Sequence, residues 1–272
     1  MQSTVALFSP DVRQLGEEHE LGKPVAVYRW GITWMSWWGI ILGGSVFGLW
    51  LAVVIFSFSH VMDATPVLGP IILLWLALVV HSFYRRRYWR VCVYDQGLLI
   101  VKRTKVDVFR WEDVETFWQL VMDYRRIRLP LLVVLMLGPM RCKYKLMQRD
   151  GHTLVLTHTI RNADELGKVL NRFLIGVMFP RFLAWYEAGE EVAFGPLSVD
   201  REGIHKDRSL LVWDEIQSVQ IGQNLMGVGN NIVRISRKGG GGWTLMLVTI
   251  PDVYVFEKLA QYILAQRTGD PS

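Results

Sequence analysis

Cysteine is scarce, with two in 272 residues, fifty positions apart, so a disulfide framework does not hold this chain together. Charge is also thin. Asp, Glu, Lys and Arg make up 20% of the chain against 51% hydrophobic residues, which excludes disorder over most of its length. Metal-binding and catalytic signatures are missing. The six histidines (His19, His60, His81, His152, His158 and His205) are scattered, with no H-E-x-x-H and no Cys pair at metal spacing. There is no G-x-S-x-G, no Walker A and no strand-linked G-x-G-x-x-G. The four glycines at 239–242 lack the Lys-Ser/Thr and the helix of a phosphate loop. Cys92 falls in a predicted strand and reads as a small buried hydrophobe, and Cys142 has no evident partner. The pairs Glu112-Asp113 and Asp214-Glu215 do not converge by spacing, because neighbours on a strand point to opposite faces. The expectation is a non-enzymatic protein with no catalytic residue, no metal and no cofactor.

What is present begins with long apolar runs. No charged residue lies between Arg29 and His60, and residues 31–58 exceed the ~20 needed to cross a bilayer. A second uncharged run covers 64–84, interrupted only by His81 near its end. Together they predict a transmembrane hairpin over 31–84, with Trp34, Trp37 and Trp38 at an interfacial belt. Lys23 and Arg29 precede it, Arg85, Arg86, Arg87 and Arg90 follow it, and the connector has no Lys or Arg. That asymmetry predicts a multi-pass protein of the inner (cytoplasmic) membrane with both termini cytoplasmic. Gly39, Gly43, Gly44 and Gly48 give the first span a small-residue face for helix packing. The shorter apolar run Leu129–Met140 reads as a buried strand or as a loop dipping toward the membrane.

The chain also repeats itself. Tyr94-Asp95-Gln96-Gly97-Leu98 is followed by Trp111-Glu112-Asp113-Val114. Asp200-Arg201-Glu202-Gly203-Ile204 is followed by Trp213-Asp214-Glu215-Ile216. Gly97, Trp111, Gly203 and Trp213 are the structural markers of this repeat. Each copy ends in an amphipathic helix. The first carries Leu166, Val169, Leu170, Phe173 and Leu174, with Asn162 and Glu165 as a capping box; the second starts at Pro251-Asp252. A further match, Gly22–Ala26 against Gly189–Ala193, suggests that the hairpin was inserted into the first copy after its first strand. Strands are predicted over 192–200, 204–206, 210–212, 216–221, 232–237 and 243–250, with a glycine hairpin between the last two.

Six or seven strands and a closing helix resemble the pleckstrin-homology-like (PH/GRAM-like) superfold. The turns at Gly97-Leu98 and Phe194-Gly195-Pro196 and the two Trp tetrapeptides look like those of bacterial membrane proteins with PH-like domains beside a transmembrane hairpin. The resemblance implies an α+β membrane protein, with tandem PH-like β-barrels each capped by a C-terminal helix. Its divisions would be an N-terminal segment with the first strand (1–30), the hairpin (31–84), the rest of unit one (85–178), a helical linker (179–189), unit two (190–266) and a tail (267–272). These motifs carry fold and no chemistry.

The net charge of +5 is concentrated after residue 85. Arg85, Arg86, Arg87, Arg90, Lys102, Arg103 and Lys105 are candidates for contacting anionic headgroups, at about 1 kcal/mol per cation near a membrane surface. The expected function is therefore a membrane-anchored binding module whose partners are the lipid bilayer, anionic lipids, and a protein partner or a second copy. A scaffold for a membrane complex is the alternative. The aromatics show no stacking platform, so nucleic acid is not expected.

Overall fold

The computed structural model describes residues 10–31, 89–102, 105–123, 140–223 and 230–268, and a few helical positions between 44 and 81. A short helix α1 (Pro10–Glu18) precedes strands β1 (Pro24–Arg29), β2 (Arg90–Tyr94), β3 (Gly97–Lys102) and β4 (Lys105–Arg110). A 3-10 turn (Trp111–Asp113) then leads into β5 (Val114–Asp123), β6 (Met140–Gln148) and β7 (Thr153–Thr157), and helix α2 (Ala163–Ala188) follows. The pattern recurs with β8 (Val192–Phe194), β9 (Leu197–Val199), β10 (Gly203–Lys206) and β11 (Ser209–Val212), again followed by a 3-10 turn, Trp213–Glu215. It ends with β12 (Ile216–Gln223), β13 (Asn230–Arg237), β14 (Gly242–Met246) and helix α3 (Val253–Thr268). Each copy thus contains a four-stranded and a three-stranded antiparallel sheet followed by a helix.

Two expectations about fold class are corrected. The sheets do not close into barrels. Among the described residues, strands pair only with their sequence neighbours, in the orders β1-β2-β3-β4, β5-β6-β7, β8-β9-β10-β11 and β12-β13-β14. In the first copy the two sheets touch at one corner, through the Trp30–Ile160 bridge and a bond from Gly31 N–H to Thr159 O of 2.7 Å. The membrane hairpin is the second correction. Among the described residues no helix is long and apolar enough to cross a membrane. The spans placed at 31–58 and 64–84 fall almost wholly outside the described residues. The membrane anchor, the bilayer and anionic lipids as partners, and the inner-membrane location with cytoplasmic termini all rested on that hairpin, and they fall with it. The run 129–140 also lies outside the described residues, apart from the backbone of Met140.

Local sequence explains the elements. β2 and β3 read as nearly unbroken apolar runs because both faces are covered. Val91, Val93, Leu98 and Ile100 enter the main core, while Cys92, Tyr94 and Leu99 pack on Leu21 and Leu15 beside α1. The stretch expected as a single strand over 192–200 is broken at Gly195, whose φ of +67° reverses the chain into a β8–β9 hairpin. The capping box expected at Asn162 does not form. Asn162 adopts φ 58°, and its side chain makes no cap bond. Residues 179–188 continue α2, which ends at Gly189 in the left-handed conformation.

The two copies share one core. It runs without a break from Ala26 in β1 to Ile263 in α3. Helix α2 lies across the junction, with Phe173 stacked 5.7 Å from Trp111 in the first copy and Phe182 edge-on to Phe194 at 5.2 Å in the second.

The repeat markers sit at matching places. Trp111 Nε1–H donates to Tyr94 O at 3.1 Å and Trp213 Nε1–H to Asp200 O at 2.9 Å. Each Trp plugs its unit with 1% of its surface exposed. Gly97 and Gly203 are glycine for want of space. A Cβ would lie 2.4 Å from Phe109 O at Gly97 and 2.2 Å from Leu211 O at Gly203. Gly176, on the exposed side of α2, would meet nothing within 4 Å. Gly203→Ala is therefore expected to lower stability by at least ~2 kcal/mol, because backbone must move. Gly176→Ala should raise it by roughly 0.5–1 kcal/mol through helix propensity. Urea unfolding of both variants checks the opposite signs; a shared sign would contradict the assigned strand spacing.

Candidate functional site

A cleft of about 230 Å³ opens in the first copy, between the inner face of β2–β4 and strand β7. Alternation along the strands builds it. Val91, Ile100 and Phe109 project from one sheet, and Leu154 and Leu156 from the other. Trp30 and Trp89 stand at the end where β1 and β2 meet, and Trp89 is 42% exposed. Thr153, Thr157 and Thr159 supply hydroxyls along the β7 side. Thr157 and Thr159 already bond to each other, Oγ1 to Oγ1, at 2.8 Å.

The cleft's charged groups are neutralised internally. Lys102 Nζ lies 2.5 Å from Asp107 Oδ2 and 5.6 Å from the centre of the Trp89 ring. His152 stacks on Phe109 with ring centroids 4.9 Å apart. Its backbone N–H donates to Asp150 Oδ1 at 2.8 Å.

Of the sequence-derived basic residues, Arg90, Lys102 and Lys105 fall among the described residues. Arg85, Arg86, Arg87 and Arg103 lie outside the described residues. Arg90 opens β2 opposite Arg29 in the β1–β2 register, two like charges as a cross-strand pair. Lys102 enters the cleft and is held by Asp107. Lys105, across the β3–β4 turn from Lys102, is exposed.

Sequence reasoning missed the most unusual carboxylate, Asp252, which is 5% exposed. It sits just before α3 with φ 50°, and its carbonyl accepts the N–H groups of Val255 and Phe256. Its side chain leaves the helix alone and reaches into the first copy. Phe117 N–H donates to Asp252 Oδ1 at 2.8 Å, and Asp252 N–H donates to Phe117 O at 2.8 Å. Burial pushes its pKa up to about 7, against the opposing pull of the Phe117 N–H and the Arg181 guanidinium; Glu115 adds to the rise. Beside it Asn171 Nδ2 donates to the buried Gln119 Oε1 at 3.0 Å. No local sequence pattern around Asp252 announces this reciprocal pair, which spans 135 positions.

Two further groups complete the chemistry. Burial pushes the Cys92 thiol up to about 12, so it stays protonated and unreactive. Asp200 in the second copy is held below the usual carboxylate range. Burial acts to raise it, but the Gly203 and Glu202 N–H groups and His205 Nε2, 2.7 Å away, outweigh that effect. Among the described residues no group of His, Cys, Asp and Glu is arranged to hold a metal ion.

Fold and site together define a two-copy α+β protein with a fused core and an apolar cleft in its first copy. The chain belongs to a family of unknown function, DUF6585, whose model matches residues 1–268. This family replaces the PH-like membrane-protein family suggested by the turn motifs. No curated protein matches the chain.

Proposed function

We propose that the protein is a non-enzymatic binding module, and that the cleft of its first copy receives an apolar side chain of a protein partner. One observation carries the reading: the β2–β4 wall of the cleft is mainly apolar and aromatic, threonines line its β7 side, and its one cation and one anion already satisfy each other. Its volume of about 230 Å³ is below the roughly 300–1,000 Å³ of sites that enclose a whole drug-sized ligand. It suits one or two side chains of a larger partner. Trp30 and Trp89 resemble the aromatic anchors that concentrate binding energy at protein interfaces.

Peptides selected by display against the full chain test this. The expected winners share one large apolar residue, lose at least ~10-fold in affinity when it becomes Ala, and shift the methyl resonances of Ile100, Leu154 and Leu156. Winners that bind through charge, or that leave those methyl groups unmoved, would overturn the proposal.

A further inference from the structure

We propose that Arg181 is a proton-controlled clamp between the two copies: with Asp252 neutral its guanidinium holds the Val114 and Glu115 carbonyls of the first copy, and with Asp252 ionised it moves onto that carboxylate in the second. The inference goes beyond the cleft reading and is independent of it.

The geometry places two rival acceptors within reach of one cation. Arg181 lies on α2, the helix that spans the junction, one residue before Phe182, which packs on Phe194 of the second copy. Its Nη1 donates to Val114 O and its Nη2 to Glu115 O, both at 3.5 Å. These carbonyls open β5 directly after the Trp111–Asp113 turn, so the clamp grips the first copy beside its buried indole. Bonds of that length are weak, and a charge-assisted bond to a carboxylate replaces them readily. Asp252 is the rival. It belongs to the second copy, just before α3, yet it is buried against Phe117 of β5. Its carboxyl group and the Arg181 guanidinium already act on each other electrostatically.

The charges around this pair make the exchange depend on a proton. Burial keeps Asp252 neutral up to about pH 7. Glu115 on β5 opposes its ionisation, and Arg181 on α2 favours it. Arg149, in the turn between β6 and β7, repels Arg181. Arg181 keeps its own charge across this range. Once Asp252 ionises, a buried anion stands beside a half-buried cation, and leaving the two apart costs more than pairing them. The tether of α2 then passes from the first copy to the second.

Comparison of the copies shows that the fold does not require an acid at this place. Asn162 precedes α2 as Asp252 precedes α3. Both have left-handed backbone, with φ 58° and 50°. Each carbonyl accepts the N–H four residues on, Leu166 at 3.1 Å and Phe256 at 3.0 Å. Asn162 is exposed and has nothing to titrate. The second copy sets an ionisable side chain at the buried equivalent, within range of the one helix that both copies share.

An NMR titration of the full chain between about pH 4 and about pH 9 is the test. The Arg181 Nε–H resonance and the carbonyl carbons of Val114 and Glu115 are expected to shift together, with a midpoint shared by the Phe117 amide. Asp252→Asn should abolish these shifts. Arg181→Gln should raise the midpoint at the Phe117 amide by ~1 pH unit or more, since the cation that favours the carboxylate is gone. A Phe117 amide that titrates while Arg181 Nε–H and the two carbonyls stay still overturns the proposal, because Asp252 then ionises without moving the clamp. Shifts that survive Asp252→Asn overturn it too, and so does a midpoint unmoved by Arg181→Gln. The parent protein decides the first of these outcomes without any variant.

Discussion

Trp213→Ala is expected to lower the unfolding free energy by roughly 3–5 kcal/mol, and Trp111→Ala by a similar amount. Each indole is almost fully buried at the point where a four-stranded sheet hands over to a three-stranded one. Truncation leaves a cavity that the surrounding sheets cannot fill, and it also leaves a carbonyl without its donor: Asp200 O for Trp213 and Tyr94 O for Trp111. Against a typical total of about 5–15 kcal/mol, either loss is a large share. The shared core adds a sharper expectation. Because the buried cluster is continuous across both copies, each substitution should move one and the same cooperative transition. Denaturation followed by tryptophan fluorescence and by far-ultraviolet dichroism checks both points. Two separated transitions, with each variant shifting only one, would show that the copies fold as independent bodies. Trp213→Phe separates the two contributions, since it keeps most of the volume and loses the bond to Asp200.

The second large effect depends on pH. Asp252 has its pKa raised from 3.8 to about 7, so the native state holds the proton more tightly than the unfolded chain does. The sign follows from linkage. Its stabilising contribution is complete below about pH 4, declines as pH rises because the unfolded chain ionises first, and levels off above about pH 7. Each tenfold change in proton affinity is worth ~1.4 kcal/mol, which sets a ceiling of roughly 4 kcal/mol on the whole effect. Asp252→Asn keeps an oxygen for the Phe117 N–H and tolerates φ 50°, and it has nothing to titrate. The variant should match the parent near pH 4, exceed it near pH 8, and flatten the decline between. Urea midpoints across that range decide the matter; parallel curves for the two proteins would remove Asp252 as the titrating group.

Parts of this molecule were plain in its sequence, and the reason is distance along the chain. The Trp-acid-acid-aliphatic tetrapeptides mark short 3-10 turns because everything they need lies within about twenty residues: a buried indole, a carbonyl upstream and a glycine between. The glycines of 239–242 likewise announce the β13–β14 turn, where all four have positive φ. Features built from distant partners were silent. Asp252 finds Phe117 across 135 positions, and no local pattern marks that pairing. The cleft draws on residues from Trp30 to Ile160, and its neutral interior depends on Lys102 meeting Asp107 across a hairpin. Lys102 looked like a free cation because charge counts along a sequence ignore the strand opposite. Asn162 looked like a helix cap because Ser, Thr, Asn or Asp followed three residues later by Glu usually is one; its left-handed backbone swings the side chain away.

The joins between first strands differ sharply in the two copies. β8 and β9 are neighbours linked by Gly195 and Pro196, whereas β1 and β2 are neighbours with residues 30–89 between them. Loop-closure entropy grows as about (3/2)RT ln n, so ordering β1 against β2 costs roughly 3 kcal/mol more than forming the β8–β9 hairpin. A strand with that handicap is favoured to dock late, after the rest of its sheet exists to receive it. The order of assembly is thereby biased: the second copy can form its hairpin as soon as it leaves the ribosome, while the first must wait for its own middle to be made.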